Sequence, residues 1–327
     1  MWMLKSSLVF LKTRSFKKQC FNKTDEHKNS WNISILRNQR VKLTDKVNVK
    51  KMFQSIRWAF NWKEWNPSEK DFAHAISCVQ LEEKERLDRF VFRKDVRSSL
   101  VGRLMLRKFV NKYGHIPYNA IVFARDQSNR PVLKNDALNL SINVSHHGEY
   151  TVLAGETRDV KLGVDVMKLE YTGGKKLSEF FRIMNRNCSV SEWDEIKNSS
   201  VNEADQINMF CRHWALKESY VKALGIGITI DLGSIDFRTN SKLVETSVVT
   251  DTVLYRNGTK QEWLFEESLL DPHHCVAVAL QENGTAPISQ NTLFEIINID
   301  ELLANAIPLF PQDSEYAEKY FKKVECP

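Results

Sequence analysis

The sequence predicts an α+β protein made of two related halves, because helical segments precede a group of strands twice along the chain. In the first half the apolar spacing predicts helices over 67–79, 81–89 and 94–113, then strands over 121–124, 140–145 and 150–155. In the second half it predicts a strand over 162–167, helices over 177–185, 191–197 and 206–225, and strands near 228–237, 248–256, 261–267 and 273–281. The two halves share little sequence, so their relation rests on the order of the elements.

Individual residues mark the boundaries of several elements. Ser68 is placed to cap the first helix. The third helix has a predicted buried face of apolar side chains at helical spacing, namely Val101, Leu104, Met105, Phe109 and Val110. Gly114 is placed to end that helix, and Asn257-Gly258 predicts a hairpin turn in the second half.

Length and composition indicate a protein with a substantial core. The chain has 327 residues, of which 42% are hydrophobic, and its longest apolar runs are far too short to span a bilayer. Six scattered cysteines without a CxxC pair are typical of reduced thiols inside a cell. We expect a basic extension over 1–54, two α+β lobes over 55–160 and 161–283, and a peripheral C-terminal tail over 284–327 that could pack against the core.

The positive charge is concentrated at the N-terminus. Residues 1–55 carry 13 Lys/Arg against 3 Asp/Glu, whereas the rest of the chain, with a net charge of −4, is mildly acidic. A nucleic-acid function based on the overall net charge of +6 therefore has little support. The basic segment resembles a mitochondrial transit peptide. We expect a cytoplasmic protein, with import directed by residues 1–40 as the alternative.

The predicted helix that ends at Gly225 carries the first candidate site. Glu218 and Lys222 are i,i+4 neighbours, and Lys217 precedes them. A carboxylate between two ammonium groups can hold a divalent cation while the lysines face phosphate oxygens. The alternative is an ordinary surface ion pair, worth a few tenths of a kcal/mol.

Three further stretches carry residues suited to binding anions and cations. Asp165 lies inside an apolar strand, where a carboxylate is costly unless it is paired or metal-bound; it could also cap a turn. Ser145 and His146 follow a strand, and because they are adjacent they cannot form a nucleophile–base pair of a hydrolase. An arginine side chain can bind a phosphate group, or it can lie on the surface as a solvated charge. The arginine candidates are Arg86, Arg125 and Arg130.

Together these stretches resemble the phosphopantetheinyl transferases of the surfactin-synthetase-activator type. The resemblance rests on Gly163-Val164-Asp165 and, about 50 residues later, on a Trp-x-x-Lys-Glu-x-x-x-Lys pattern that runs from Trp214 to Lys222. It extends over about residues 55–282. It implies the 4′-phosphopantetheinyl transferase fold, two similar α+β lobes related by a pseudo-two-fold axis, with coenzyme A and Mg²⁺ in the cleft between them.

The resemblance also implies an activity and roles for the candidate residues. The reaction transfers 4′-phosphopantetheine from coenzyme A to a serine of an apo carrier protein and releases adenosine 3′,5′-bisphosphate. The implied metal ligands are Asp165 and Glu218; the implied coenzyme A contacts are Arg86, Arg125, Arg130, Asn143, Ser145, His146, Lys217 and Lys222. Glu218 is the candidate base and Lys222 the alternative. Met167 stands where bacterial relatives have a third carboxylate, which leaves the third metal ligand open.

The implied partners are apo carrier domains of fatty-acid synthase and of aminoadipate-semialdehyde dehydrogenase-like proteins. We expect a monomer that binds neither nucleic acid nor a membrane. The alternative is a non-catalytic coenzyme A or nucleotide-binding protein of the same fold, but binding alone would not need Asp165, Glu218 and Lys222 together.

Overall fold

Three helices follow the first strand, and the longest of them packs against the first sheet. The computed structural model describes residues 53–126, 130–134, 138–171, 173–198, 202–225 and 230–326. The elements are β1 (Ser55–Asn61), α1 (Glu69–Ser77), α2 (Leu81–Asp88) and α3 (Arg93–Gly114). Ser68 caps α1 through a capping box with Asp71, as predicted. Helix α3 includes Gly114, and His115 takes the left-handed conformation instead, so the predicted end of this helix was one residue early.

Two hairpins follow the helices: the first forms a small sheet of its own, and the second pairs with β1 in the first sheet. Strands β2 (Phe123–Arg125) and β3 (Pro131–Leu133) pair with each other. Strands β4 (Ser141–His147) and β5 (Tyr150–Glu156) form an antiparallel pair, joined by a turn at Gly148, whose φ is +57°. Strand β5 also pairs with β1, which leaves β4 at the edge of the sheet.

The second half packs the long helix α6 against a three-stranded sheet. Its elements are β6 (Lys161–Lys168), α4 (Leu177–Met184), α5 (Val190–Asn198), α6 (Glu203–Leu224), β7 (Ile235–Arg238), β8 (Val253–Arg256), β9 (Thr259–Lys260), β10 (Leu264–Asp271) and β11 (His274–Gln281). The order β10-β11-β6 places β6 at an edge, and β7-β8-β9 form a separate small sheet. Both residues of the predicted Asn257-Gly258 turn have positive φ, which confirms the hairpin. Residues 226–229, at the start of the predicted strand 228–237, lie outside the described residues.

The C-terminal segment contributes to the core of the first half. It adds β12 (Glu295–Ile296), α7 (Ile299–Leu303) and α8 (Ser314–Lys322). Strand β12 pairs parallel with β1, and the ring of Tyr320 in α8 stacks on Phe72 of α1 with a centroid distance of 3.8 Å. This is the segment that the sequence assigned to a peripheral tail that could pack against the core.

The two main sheets are joined by apolar packing and by one buried ion pair. Side chains of β1 and β5 share a core cluster with those of β6, β10 and β11. Arg57 of β1 lies 2.8 Å from both Glu156 of β5 and Glu266 of β10 and is fully buried. The mixture of helices and sheets confirms the predicted α+β class. No helix among the described residues is long and apolar enough to cross a bilayer. Most of the predicted basic extension, residues 1–52, lies outside the described residues.

Candidate active site

Helix α6 lies unusually close to strand β6, and Gly163 makes this approach possible. A Cβ atom at Gly163 would lie 2.0 Å from the carbonyl oxygen of Ser219 and 2.5 Å from the backbone nitrogen of Ala223. Both are backbone atoms of α6, so no side-chain rotation could relieve the clash. The glycine of the Gly-x-Asp motif therefore brings the strand that carries Asp165 against the helix that carries Glu218 and Lys222.

Asp165, Lys222 and Ser145 form a compact hydrogen-bonded group. The Lys222 ammonium lies 2.6 Å from Asp165 Oδ1 and donates to Ser145 Oγ at 2.8 Å and to the Val164 carbonyl oxygen at 3.2 Å. Ser145 in turn donates to Asp165 Oδ1 at 2.7 Å. Lys222 donates to three acceptors, one of them a carboxylate, so its ammonium group is fixed in position.

A second buried carboxyl group lies beside this group. Glu218 is 5% exposed and Asp165 1% exposed. Burial, together with the negative charge of Asp165, raises the pKa of Glu218 to about 7, although Lys222 opposes the shift. The other oxygen of Asp165, Oδ2, is buried and accepts no hydrogen bond in the described structure. Two buried carboxyl groups with an unpartnered oxygen form a site where a cation fits.

The donor set matches Mg²⁺ in kind, but it is small. No group of three or more His, Cys, Asp or Glu side chains within the described ranges is placed to hold a metal ion. Mg²⁺ retains several waters and is often bound through one or two carboxylates plus substrate phosphates. Met167 is buried and offers only a thioether, a poor ligand for a hard cation.

Alternate residues along the edge strand β4 contact the edge strand β6. The Val164 N–H donates to Asn143 Oδ1 at 3.1 Å, and the Lys168 N–H donates to His147 Nδ1 at 2.9 Å. Ser145 lies between them and contacts Asp165, as described above. Because side chains alternate along a strand, all three lie on one face of β4. Asn143 therefore supports β6, a role that the sequence did not indicate.

His146 points from the opposite face of β4 and is surrounded by positive charge. The pKa of His146 is lowered to about 4, first by burial and then by the charges of Lys222, His147, Arg103 and Arg86. The ring is therefore neutral at pH 7. The charges that act on it come both from Lys222 of the Asp165 group and from two members of a cluster of arginines, Arg86 and Arg103.

That arginine cluster converges on one carboxylate, Glu83 of α2. Glu83 Oε2 accepts from Arg86 Nε at 2.9 Å and lies 3.4 Å from Arg103 Nε, while Oε1 pairs with Arg125. Burial alone would raise the pKa of Glu83, but the guanidinium groups of Arg103, Arg86 and Arg125 hold it at about 2. Three cations around one anion leave an excess of positive charge, which suits a phosphate group.

Arg103 is the member of this cluster that the sequence did not single out. Its Nε and Nη1 are buried and make no hydrogen bond to any described residue. Burial and the repulsion of Arg86 and Arg125 lower its pKa to about 9, in spite of Glu83. The only local signal was an arginine next to the apolar face of a long helix, and its partner Glu83 lies in a different helix.

Arg130 lies at the C-terminal end of α6, apart from the Glu83 cluster. It pairs with Asp126 at 2.7 Å and donates through Nη1 to the Lys222 carbonyl oxygen at 3.1 Å. A Cβ atom at Gly225, whose φ is +71°, would lie 2.6 Å from the Arg130 guanidinium. This arginine therefore contacts the end of the helix that carries Lys222 and is stabilised by the helix dipole.

Lys217 does not face this site, contrary to the expectation of a phosphate-facing lysine. It is 1% exposed, pairs with Glu192 of α5 at 2.8 Å, and donates to the carbonyl oxygens of Leu232 and Ile235. The reason is geometric, because residues five apart on a helix point about 140° from each other. With Lys222 in the site, Lys217 lies on the far side of α6.

Comparison with known proteins identifies the family. Residues 63–158 match the model of the 4′-phosphopantetheinyl transferase N-terminal domain, and residues 161–279 match that of the 4′-phosphopantetheinyl transferase superfamily. The chain belongs to the 4′-phosphopantetheinyl transferase superfamily. The predicted family, fold and enzyme class are thereby confirmed.

Individual relatives support the same assignment for this transferase. It is similar to the L-aminoadipate-semialdehyde dehydrogenase-phosphopantetheinyl transferase of Rattus norvegicus, with 37% identity over 281 residues, covering 80% of this chain and 90% of the relative. The enzyme of the same name from Homo sapiens is 36% identical over 292 residues, covering 84% and 93%. The more distant 4′-phosphopantetheinyl transferase gsp of Aneurinibacillus migulanus is 28% identical over 215 residues, covering 65% and 81%.

Proposed function

We propose that this transferase moves 4′-phosphopantetheine from coenzyme A to a serine of an apo carrier protein in a Mg²⁺-dependent reaction. The observation that supports the metal most directly is Asp165 Oδ2, which is buried without a hydrogen-bond partner beside the second buried carboxyl group of Glu218. These two side chains would hold the ion. Bound there, Mg²⁺ would neutralise charge on the diphosphate of coenzyme A.

Lys222 supplies a fixed positive charge at the reacting phosphates. Its ammonium is held by Asp165 Oδ1, Ser145 Oγ and the Val164 carbonyl oxygen. A cation that is already fixed stabilises developing negative charge without reorganising during the reaction. Lys222 is therefore an electrostatic group, and its contacts disfavour the alternative of Lys222 as the base.

Glu218 is the base in this proposal. The serine oxygen of the carrier forms a bond to the phosphorus next to pantetheine, and the bond from that phosphorus to the bridging oxygen breaks. The serine proton goes to the Glu218 carboxylate, and adenosine 3′,5′-bisphosphate leaves with the bridging oxygen. Glu218 makes no hydrogen bond or ion pair to a described residue that would compete with this role.

The arginine cluster around Glu83 binds the 3′-phosphate of coenzyme A in this proposal. Arg86 and Arg125 are coenzyme A contacts implied by the family resemblance. Arg103 adds two buried donor atoms, Nε and Nη1, that make no hydrogen bond to a described residue, and its Nε lies 3.4 Å from Glu83 Oε2. Neutral His146 is near enough to Arg86, Arg103 and Lys222 for their charges to lower its pKa. Together these groups would contact the coenzyme from its 3′-phosphate to its diphosphate.

The carrier proteins are proposed from the names of the relatives and from the family. We propose aminoadipate-semialdehyde dehydrogenase-like carriers first, because that protein is part of the name of both mammalian relatives. Fatty-acid synthase carrier domains are the second group.

Mass spectrometry of an apo carrier domain tests the proposal. Incubation with the protein, coenzyme A and Mg²⁺ should add one phosphopantetheine group to the acceptor serine. Glu218→Gln should reduce the rate at least about 100-fold through loss of the base, whereas Glu203→Gln at the exposed start of α6 should leave it unchanged. Unmodified carrier together with intact coenzyme A binding would favour the non-catalytic alternative, and a Glu218→Gln variant with the wild-type rate would refute the role of Glu218.

A further inference from the structure

Helix α3 begins without a capping side chain of its own. Its N-cap residue, Phe92, makes no side-chain cap hydrogen bond. Instead, the N–H of Arg93 donates to the carbonyl oxygen of Val324 at 2.9 Å, and the N–H of Lys94 donates to that of Glu325 at 3.3 Å. The first N–H groups of a helix have no partner within the helix, so the C-terminal segment provides a cap from outside.

The same segment also caps the end of α2. The Lys323 ammonium donates to the carbonyl oxygens of Asp88 at 2.9 Å and Phe90 at 2.8 Å. A cation at the C-terminus of a helix is favoured by the helix dipole. Residues Lys323–Glu325, which we call the C-terminal strap, therefore satisfy backbone groups on both sides of the α2–α3 junction.

Glu325 adds ion pairs to these backbone contacts. Its carboxylate lies 3.1 Å from Arg93 Nε and also pairs with Arg97, which lies one turn further along α3. Residue 324 forms a parallel bridge with Phe92 at the junction itself. The strap follows directly from α8, which is held against α1 by the stacking of Tyr320 on Phe72.

The arginine cluster is assembled mainly from the two helices that the strap connects, and Arg125 is contributed by β2. Glu83 and Arg86 belong to α2, whereas Arg103 belongs to α3. Arg86 also donates across the junction to Ser99 Oγ at 2.8 Å. Because like-charged guanidinium groups repel one another, their spacing depends on the relative position of α2 and α3.

We propose that the C-terminal strap is a positioning element for the 3′-phosphate site of coenzyme A. It fixes the α2–α3 junction, so that Arg86 and Arg103 meet around Glu83 in the arrangement that receives the phosphate. This inference rests on the proposed function, in which the cluster binds that group. The strap touches neither the coenzyme nor the reacting atoms in this proposal.

Two truncations and one double substitution test the strap. The first truncation ends the chain after Lys322 and removes the strap, and the matched control ends it after Glu325 and keeps the strap. The K323M/E325Q double variant removes the side-chain contacts and leaves the backbone in place. Each protein is titrated by calorimetry with coenzyme A and with dephospho-coenzyme A, which lacks only the 3′-phosphate, and hydrogen exchange of the Arg93 and Lys94 amides is measured.

Loss of the strap should weaken coenzyme A binding about tenfold, in the range that loss of a helix cap produces. Dephospho-coenzyme A should bind within about twofold of wild type, the control truncation should match wild type for both ligands, and the two amides should exchange faster. Equal losses for both ligands would mean that the strap contributes to stability alone and would overturn the proposal. Unchanged coenzyme A affinity in both strap variants would overturn it as well.

The wild-type titration separates this proposal from the proposed function. If the wild-type protein binds both ligands equally, the cluster is not the 3′-phosphate site and the strap proposal is overturned. Transfer to a carrier protein, measured by mass spectrometry, would still decide the proposed function.

Discussion

Replacing Gly163 with alanine tests whether the contact of β6 with α6 builds the site. The added Cβ would lie 2.0 Å from the Ser219 carbonyl oxygen and 2.5 Å from the Ala223 nitrogen, both in the backbone of α6. Non-bonded atoms do not approach so closely, so the helix must retreat by about 1 Å, a displacement that can cost a site about 100-fold in rate. The same overpacking should lower the free energy of unfolding by about 1–3 kcal/mol.

The assay compares the rate of phosphopantetheine transfer with stability in denaturant. Gly163→Ala should lose about 100-fold in rate, far more than its loss of stability explains. Gly284→Ala is the matched control, because its Cβ would enter open space while its φ of +81° still strains the backbone. That variant should lose stability and keep its rate. A Gly163→Ala protein with the wild-type rate and stability would refute the close approach.

Three buried ionic groups away from the site give further predictions. Arg57→Met should cost about 3–5 kcal/mol in urea unfolding, because Glu156 and Glu266 lose a buried partner; a cost below about 1 kcal/mol would contradict the buried link. Lys217→Met should destabilise the protein, because its buried partner Glu192 on α5 would lose its counter-charge. The KM for coenzyme A should stay unchanged, and a raised KM would indicate that Lys217 contacts the coenzyme. Two glutamates of α5 raise the pKa of buried His213. The stabilising effect of His213 is therefore complete below pH 6.5 and is lost as the pH rises through the raised folded-state pKa. A His213→Gln variant whose free energy of unfolding depends on pH as in the wild type would contradict this.

The sequence predicted the parts of the site that short-range patterns specify. The i,i+4 spacing of Glu218 and Lys222 places both on one side of a helix, and the apolar strand around Asp165 indicates burial. The strand packs closely against the helix because residue 163 is a glycine. That a glycine is required there can be recognised only when the position of α6 is known. Family resemblance, and not spacing, joined the two motifs.

Contacts between distant segments account for what the sequence did not predict. The i,i+5 spacing turns Lys217 away from Lys222, and the buried partner of Lys217 is Glu192 of α5, which no pattern within α6 indicates. Arg103 joins the arginine cluster through Glu83, which lies on another helix, and the stacking of Tyr320 on Phe72 holds the C-terminal segment against the core, which the sequence left open. Each depends on how separate elements pack together, and local periodicity carries no information about that.

Anomalous diffraction from crystals grown with Mn²⁺ and coenzyme A tests the central proposal most directly, because Mn²⁺ accepts the same oxygen ligands as Mg²⁺. We expect one peak within bonding distance of Asp165 Oδ2 and of the Glu218 carboxylate, beside the diphosphate of the coenzyme. A coenzyme bound in the cleft with no metal peak between these two carboxylates, or with the metal held by other residues, would contradict the proposed site.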